Sequence, residues 1–288
     1  MKIKVITDSG SGLSQEKAKS LGIDFLPLQV IVNEQTYLDG VDLNVDDLYN
    51  YMEQGAVVQT SLPPLGIMED LLEQYNEDEV TDIVLITLSN GLSSTNSTFL
   101  AAANRHGIKV HTLDLYTTLA VELYCAMVAA SLNEQGVEPQ KMIDILKDAI
   151  DHSAGFLIAE DLDHLAKGGR LTPMAAKLGG MLKIKPILEV SKNTEGKVDV
   201  WNKVRTMNKA IKSAADQIGK SVSNPEDYVF YVLDARNEEG AQTAIEELKT
   251  VLGPMADIRR EPMYAVIACH TGMKAVGLQY IKKVKGVQ

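Results

Sequence analysis

The chain has 288 residues, room for one large domain or two ordinary ones, and it is 45% hydrophobic, 23% charged and 5% aromatic. Those proportions exclude a disordered, collagen-like or low-complexity chain. Lysine plus arginine number 28 against 39 aspartate plus glutamate, a net charge of −11, so nucleic acid is not expected as the main partner.

The longest apolar stretches, such as Tyr264–Cys269, fall far short of the roughly 20 residues a membrane helix needs, so no integral membrane association is expected. The opening MKIKVITDSG reads as a short strand and lacks the apolar core of a signal peptide. Cys125 and Cys269 lie far apart and outside any zinc-ligand spacing, the pattern of two buried reduced thiols. A cytoplasmic location is the expectation.

In chain order, Ile3–Ile6 reads as a strand running into the polar turn Thr7–Gly12, and Ser14 is placed to cap a helix through Leu21. Phe25 to Val32 reads as one strand, with Pro27 marking an edge or a bend. Asn44–Gln54 has helical spacing. Thr60-Ser61-Leu62-Pro63 reads as the opening of the next helix, which carries Leu65, Met68, Leu71, Leu72 and Tyr75. Asp82–Leu88 has the continuous apolar pattern of a strand buried on both faces and ends in Ser89–Thr95, after which a helix begins. A strand over Ile108–Leu113 and helices over Thr118–Leu132 and Pro139–Asp151 follow. This alternation predicts crossover units on a mainly parallel sheet.

The second half reads differently. A strand at Phe156–Ala159, a Gly-Gly-Arg turn and a helix from Pro173 to Leu182 precede strands Lys185–Val190 and Lys197–Val204, joined by the hairpin turn Asn193–Gly196. Then come a helix over Met207–Lys220, a strand over Tyr228–Leu233, a helix over Glu238–Leu252 and strand-like segments across 257–270. The fold class is therefore two α/β domains, the first with a mainly parallel sheet and the second with a mixed one. They divide near Ser153-Ala154-Gly155, into residues 1–153 and 154–288.

Three polar turns precede helices: Thr7–Gly12, Thr60-Ser61 and Ser89–Thr95. Free N–H groups at such turns can bind an anion, and the same hydroxyls can serve simply as helix caps. Gly91-Leu92-Ser93-Ser94-Thr95 approaches the G-x-S-x-G elbow of serine hydrolases, with Thr95 in place of the last glycine. Gly10-Ser11-Gly12 does not continue into a dinucleotide fingerprint, because residue 15 is Gln, and no P-loop is present. His270 follows an apolar run and precedes Thr271-Gly272, a place from which it can face a cleft or satisfy the core. The other four histidines read as surface or loop residues. Arg170, after Gly168-Gly169, and Arg205, at a strand-to-helix junction, are cations on an acidic chain. They suit a phosphate or an acidic partner as well as plain solvent exposure.

Taken in order, these segments resemble the DegV family of bacterial lipid-binding proteins over essentially the whole chain. Thr7-Asp8-Ser9 resembles the family's TDS, Thr60–Pro63 its TS-x-P turn, and Leu88–Thr95 its LSSGLSGT, with Asn90 and Ser94 departing. Asp163–Leu171 resembles its D-x-L-x-x-GGR, Lys185–Leu188 its KP-I-L, Arg205-Thr206 its RT and Ala268–Gly272 its A-x-H-x-G. The family's usual Gly-Pro-Gly is absent after Gly272, where Met273-Lys274-Ala275 stands instead.

The resemblance implies one long-chain fatty acid held between two α/β domains, with no cofactor, no metal and no chemistry of the chain's own. A separate ATP-dependent fatty acid kinase would phosphorylate the presented carboxylate to an acyl phosphate. It implies Thr60, Ser61, Ser93, Ser94 and His270 around the carboxylate, in the first domain's polar turns and at the C-terminal histidine. Arg170 and Arg205 would lie where the kinase docks. Leu157, Ile158, Leu165, Leu178, Met181, Ile184 and Ile187 of the second domain are candidates for the tail pocket. A sixteen-carbon tail could contribute on the order of 10 kcal/mol before losses. The rival reading is a serine-dependent acyl hydrolase or acyltransferase using Ser93 and His270.

Overall fold

A computed structural model describes residues 2–177 and 184–287. In chain order the elements are β1 (Ile3–Asp8), α1 (Gln15–Ser20), β2 (Ile23–Leu26), β3 (Gln29–Val32), β4 (Gln35–Leu38), α2 (Val45–Glu53), β5 (Val58–Ser61), α3 (Leu65–Glu77), β6 (Asp82–Ile86), α4 (Thr95–His106), β7 (Lys109–Thr112), α5 (Ala120–Glu134) and α6 (Pro139–Ile150). The rest of the chain adds β8 (Ser153–Ile158), α7 (Leu162–Lys167), α8 (Pro173–Ala176), β9 (Lys185–Val190), β10 (Asp199–Val204), α9 (Met207–Ser221), β11 (Tyr228–Asp234), α10 (Glu238–Leu252), β12 (Asp257–Pro262), α11 (Ala265–Thr271) and β13 (Val276–Lys282).

Among the described residues the strands form three sheets. The first, in the order β2-β1-β6-β7, is parallel throughout. Its inner strand β6 is buried along its whole length, as a parallel strand covered on both faces must be. The second, β10-β9-β8-β13-β11-β12, is mixed: β11 and β12 run parallel and the other neighbours antiparallel. Helices α9 and α10 cover one of its faces, packing Ile211, Ala214 and Leu248 against Ile158, Ile187 and Leu278. Helices α5 and α6 reach both sheets. The α/β class with one parallel and one mixed sheet is thus the architecture of the chain. No helix among the described residues is long and apolar enough to cross a membrane.

Several local expectations need correction. Phe25–Val32 is not one strand. Pro27 has no N–H to give a ladder, and the Leu28 N–H donates instead to Ser9 Oγ at 3.1 Å. The chain therefore leaves the parallel sheet after β2 and enters a third sheet, the antiparallel β4-β3-β5. Thr60 and Ser61 end strand β5 of that sheet rather than open a helix; α3 starts at Leu65 without a side-chain cap. The Tyr264–Cys269 run is not a strand but the helix α11, buried on nearly all sides, and period alone cannot separate those two cases in so short an apolar run. Strands β4 and β13 carried no expectation, although β13 lies inside the mixed sheet. The helix expected from Pro173 is observed as Pro173–Ala176, and its continuation to Leu182 lies outside the described residues.

Candidate functional site

A cavity of about 480 Å³ opens where the two halves of the chain face each other, within the size range of small-molecule sites. The first half supplies the end of β5, the turn from Leu88 to Ser94, and Thr117 to Leu119. The second supplies the inward face of the mixed sheet, Arg170, and helix α11 with His270 and Thr271.

The five residues expected around a carboxylate, Thr60, Ser61, Ser93, Ser94 and His270, all line this one cavity. Sequence positions 210 apart meet there: Thr60 Oγ1 and His270 Nε2 share a hydrogen bond of 2.7 Å. Arg205 is not in the wall; it is exposed, just past β10. Arg170, expected outside the binding pocket, belongs to its wall. Its guanidinium donates to Gly168 O at 2.7 Å.

The imidazole of His270 is neutral at pH 7. Burial pushes its pKa down to about 4, and the nearby Arg170 and His164 add to the effect. Gly168 is the residue that makes room for the ring, since a Cβ there would come within 2.9 Å of Nδ1. Helix α11, which carries His270, is held at both ends. Asp39 takes the Val266 N–H at its start, and His164 Nε2 lies 2.8 Å from Cys269 O near its end. His164 and His111 therefore differ from the surface or loop placement expected of them: His164 is half-buried on α7, and His111, on β7, is buried against Asp82 at 2.7 Å.

Ser93 Oγ accepts from Thr95 N at 3.2 Å and shares a hydrogen bond with Thr95 Oγ1 at 2.9 Å. The hydrolase arrangement asks for Ser93 on the histidine, and here the Nε2 bond of His270 goes to Thr60. The geometry therefore lends that rival reading no support. Ser94 stands exposed at the start of α4 and makes no side-chain cap bond. The first polar turn, Thr7–Gly12, lies outside the cavity wall. Its Asp8 carboxylate already takes the N–H groups of Gly10 and Leu88, at 2.7 and 3.2 Å.

The tail candidates split by strand face. Leu157 and Leu165 line the cavity. Ile158 and Ile187 point to the opposite side of the mixed sheet, into the core under α9 and α10, as alternation along a strand requires. Ile184 is half-buried and outside the wall, and Leu178 and Met181 lie outside the described residues. Most of the apolar wall went unnoticed in the sequence: Leu62, Leu88, Leu92, Leu119, Val190 and Val266. They come from separate segments, so no local spacing connects them.

The two α/β halves thus frame a cavity whose wall mixes leucine and valine side chains with the hydroxyls of Thr60, Ser61, Ser93 and Ser94 and the ring of His270, a lining that suits an amphipathic small molecule. The sequence profile described as an uncharacterised protein of the DegV family matches residues 2–283. A DegV domain-containing protein of Staphylococcus aureus (strain COL) is 31% identical over 284 residues, covering 98% of both chains. The chain belongs to the DegV family. Among solved structures, a fatty acid binding DegV family protein from Streptococcus agalactiae superposes with a TM-score of 0.88 at 27% identity, covering 99% of this chain and 100% of the other. DegV, a fatty acid binding protein from Bacillus subtilis, gives 0.86 at 30% identity, covering 98% of this chain and all of its own.

Proposed function

We propose that this protein binds a long-chain fatty acid in the cavity, between units spanning residues 1–153 and 154–288, and presents its carboxylate to a separate ATP-dependent fatty acid kinase, which forms the acyl phosphate. The observation that carries the reading is the Thr60–His270 bond in the wall of a cavity that is also lined by leucine, valine and phenylalanine side chains. It gathers hydrogen-bonding groups where a carboxylate needs them, while the leucine and valine wall takes the methylene chain. Without such donors, burying a carboxylate would cost several kcal/mol. The family likeness to proteins titled as fatty acid binding supports the same ligand. Presentation rather than concealment is supported by Ser61, Ser94 and Arg170, which line the cavity and are exposed.

Mass spectrometry of the denatured, freshly purified protein tests the ligand: about one fatty acid per chain is expected, and none would remove the reading. The two arginines test the presentation. Arg205→Ala is expected to slow phosphorylation of the bound acid by a cognate kinase several-fold while leaving its affinity unchanged, because Arg205 stands clear of the cavity. Arg170→Ala is expected to lower both, because Arg170 is in the wall. Unchanged turnover in the Arg205 variant would remove its docking role.

A further inference from the structure

Resting on the fatty-acid reading, we infer that Asp8 and Glu122, buried behind the cavity wall, are a positioning pair that shares one proton and holds the turn bearing Ser93 and the segment Thr117–Leu119 in place for a bound carboxylate. Asp8 ends β1 and Glu122 lies in the first turn of α5. Both are fully buried. A Cβ on Gly10 would stand 2.7 Å from Glu122 Oε2 and 2.8 Å from Asp8 Oδ1. The two carboxyls thus converge over that residue, and only a glycine leaves them room. Two carboxylates buried so close do not both ionise. Burial, and then the charge of Asp8, push the Glu122 carboxyl well above its ordinary range. Burial raises Asp8 as well, to about 6, while hydrogen bonds from Glu122 and from the Gly10 and Leu88 N–H groups draw it back. Glu122 therefore keeps the proton and donates it to an ionised Asp8. The other titratable groups around the pair are Asp39, the Cys125 thiol and the Tyr264 phenol. Among the described residues no lysine or arginine acts on either carboxyl, so the shared proton stands where a counter-cation would.

From this pair hydrogen bonds run outward to the wall. Asp8 Oδ2 accepts the Leu88 N–H at 3.2 Å, and Glu122 Oε2 accepts the Thr118 hydroxyl at 3.0 Å. Gly10, whose N–H is held by Asp8 Oδ1 at 2.7 Å, takes the Leu119 N–H on its carbonyl at 3.1 Å. Ser89 N donates to Thr117 O at 2.8 Å and ties the two segments to each other. Leu88, Thr118 and Leu119 all line the cavity, and Leu88 leads into the turn that places Ser93 there. Asp8 and Glu122 line none of it; they act through the main chain they hold. The chemistry makes the two members unequal. Asp8 needs both carboxylate oxygens as acceptors, and asparagine has only one, so its amide N–H₂ would face a backbone N–H. Glu122 needs one donor and one acceptor, which glutamine supplies and leucine does not.

The test uses the full-length protein, stripped of lipid on a hydrophobic resin. Infrared spectra at pH 8 are expected to show the carbonyl stretch of a protonated carboxyl that is present in wild type and missing from Glu122→Gln. Asp39 contributes equally to both spectra and drops out of the difference. Wild-type protein without such a band overturns the shared proton, and that arm needs no variant to fold. Palmitic acid and the alcohol of the same chain length then compete against a fluorescent fatty acid. Asp8→Asn is expected to shrink the preference for acid over alcohol about tenfold, because the Leu88 N–H loses its acceptor and the Ser93 turn shifts. A wall that had merely loosened would weaken both ligands alike. Glu122→Leu is expected to shrink the preference too, and Glu122→Gln to keep it. A folded Asp8→Asn or Glu122→Leu protein with the wild-type preference overturns the positioning role, and so does a Glu122→Gln protein that loses it. Wild-type protein that binds the acid no tighter than the alcohol overturns the carboxylate reading itself, whatever the infrared band shows.

Discussion

Replacing His270 with alanine is expected to weaken fatty-acid binding by ten- to a hundredfold, the largest effect of any single change in the cavity. The imidazole and Thr60 Oγ1 share a 2.7 Å hydrogen bond across the two halves of the chain. Removing the ring takes one hydrogen-bonding group from the carboxylate end and leaves the threonine hydroxyl without its partner. A buried polar group left unsatisfied costs about 1–3 kcal/mol, which is the stated range in affinity. The ring is neutral at pH 7, its pKa pushed down to about 4 chiefly by burial, so the loss is of hydrogen bonding rather than of a fixed positive charge. Gly168→Ala tests the same point without removing the imidazole. Its new Cβ would stand 2.9 Å from Nδ1, so the ring must move off Thr60, and affinity should fall by a smaller factor. Calorimetric titration with a single acid measures both variants. Wild-type affinity in the His270 variant would place the carboxylate elsewhere in the cavity.

Much of this site was legible in the sequence because its polar members sit in short, distinctive segments. Thr60-Ser61, Ser93-Ser94, Arg170 after its Gly-Gly step, and His270 each stand out, and the structure brings these six residues to one cavity. What they do locally was less legible. Thr60 and Ser61 have the look of a helix opening, because hydroxyls before a Pro-Pro step suit a cap, yet pairing with β3 makes them the end of a strand. The Tyr264–Cys269 run is apolar on every side, and only its packing against β3, β5 and α7 makes it a helix. Gln279 of the cavity wall could have been found: Val276, Leu278 and Tyr280 alternate with Gly277 and Gln279, the mark of a strand with one special face. Asp39 could not. Nothing in Leu38-Asp39-Gly40 says that its carboxylate will cap a helix more than 220 residues downstream, because that partnership exists only once the halves pack.

That partnership leads to the second large expectation, that Asp39→Asn raises thermal stability above pH 7 and flattens its pH dependence. Asp39 accepts hydrogen bonds from the Ser9 hydroxyl and from the Gly40 and Val266 N–H groups, but burial outweighs them. With the neighbouring Asp8 adding like charge, its pKa rises from an ordinary 3.8 to about 7. Between those two values the folded chain holds a proton that the unfolded chain has released. Stability from this group is therefore complete below about pH 4 and drains away as pH rises to about 7. His270 acts in the opposite sense: with a pKa of about 4 when folded, it makes stability rise from pH 4 to its ordinary value of 6.5. The difference between wild-type and Asp39→Asn curves cancels the histidine contribution and leaves the carboxyl together with its coupling to Asp8. Asparagine keeps an acceptor for the Val266 N–H and never carries the buried charge. The variant should gain on the order of 4 kcal/mol above pH 7, roughly 10 °C in melting temperature for a chain of this size. Below pH 4 it should match wild type. Melting curves recorded from pH 4 to 8 decide the matter: a variant that melts lower than wild type at pH 8 would mean that the charged carboxylate, not its neutral form, holds α11 and with it His270 in place.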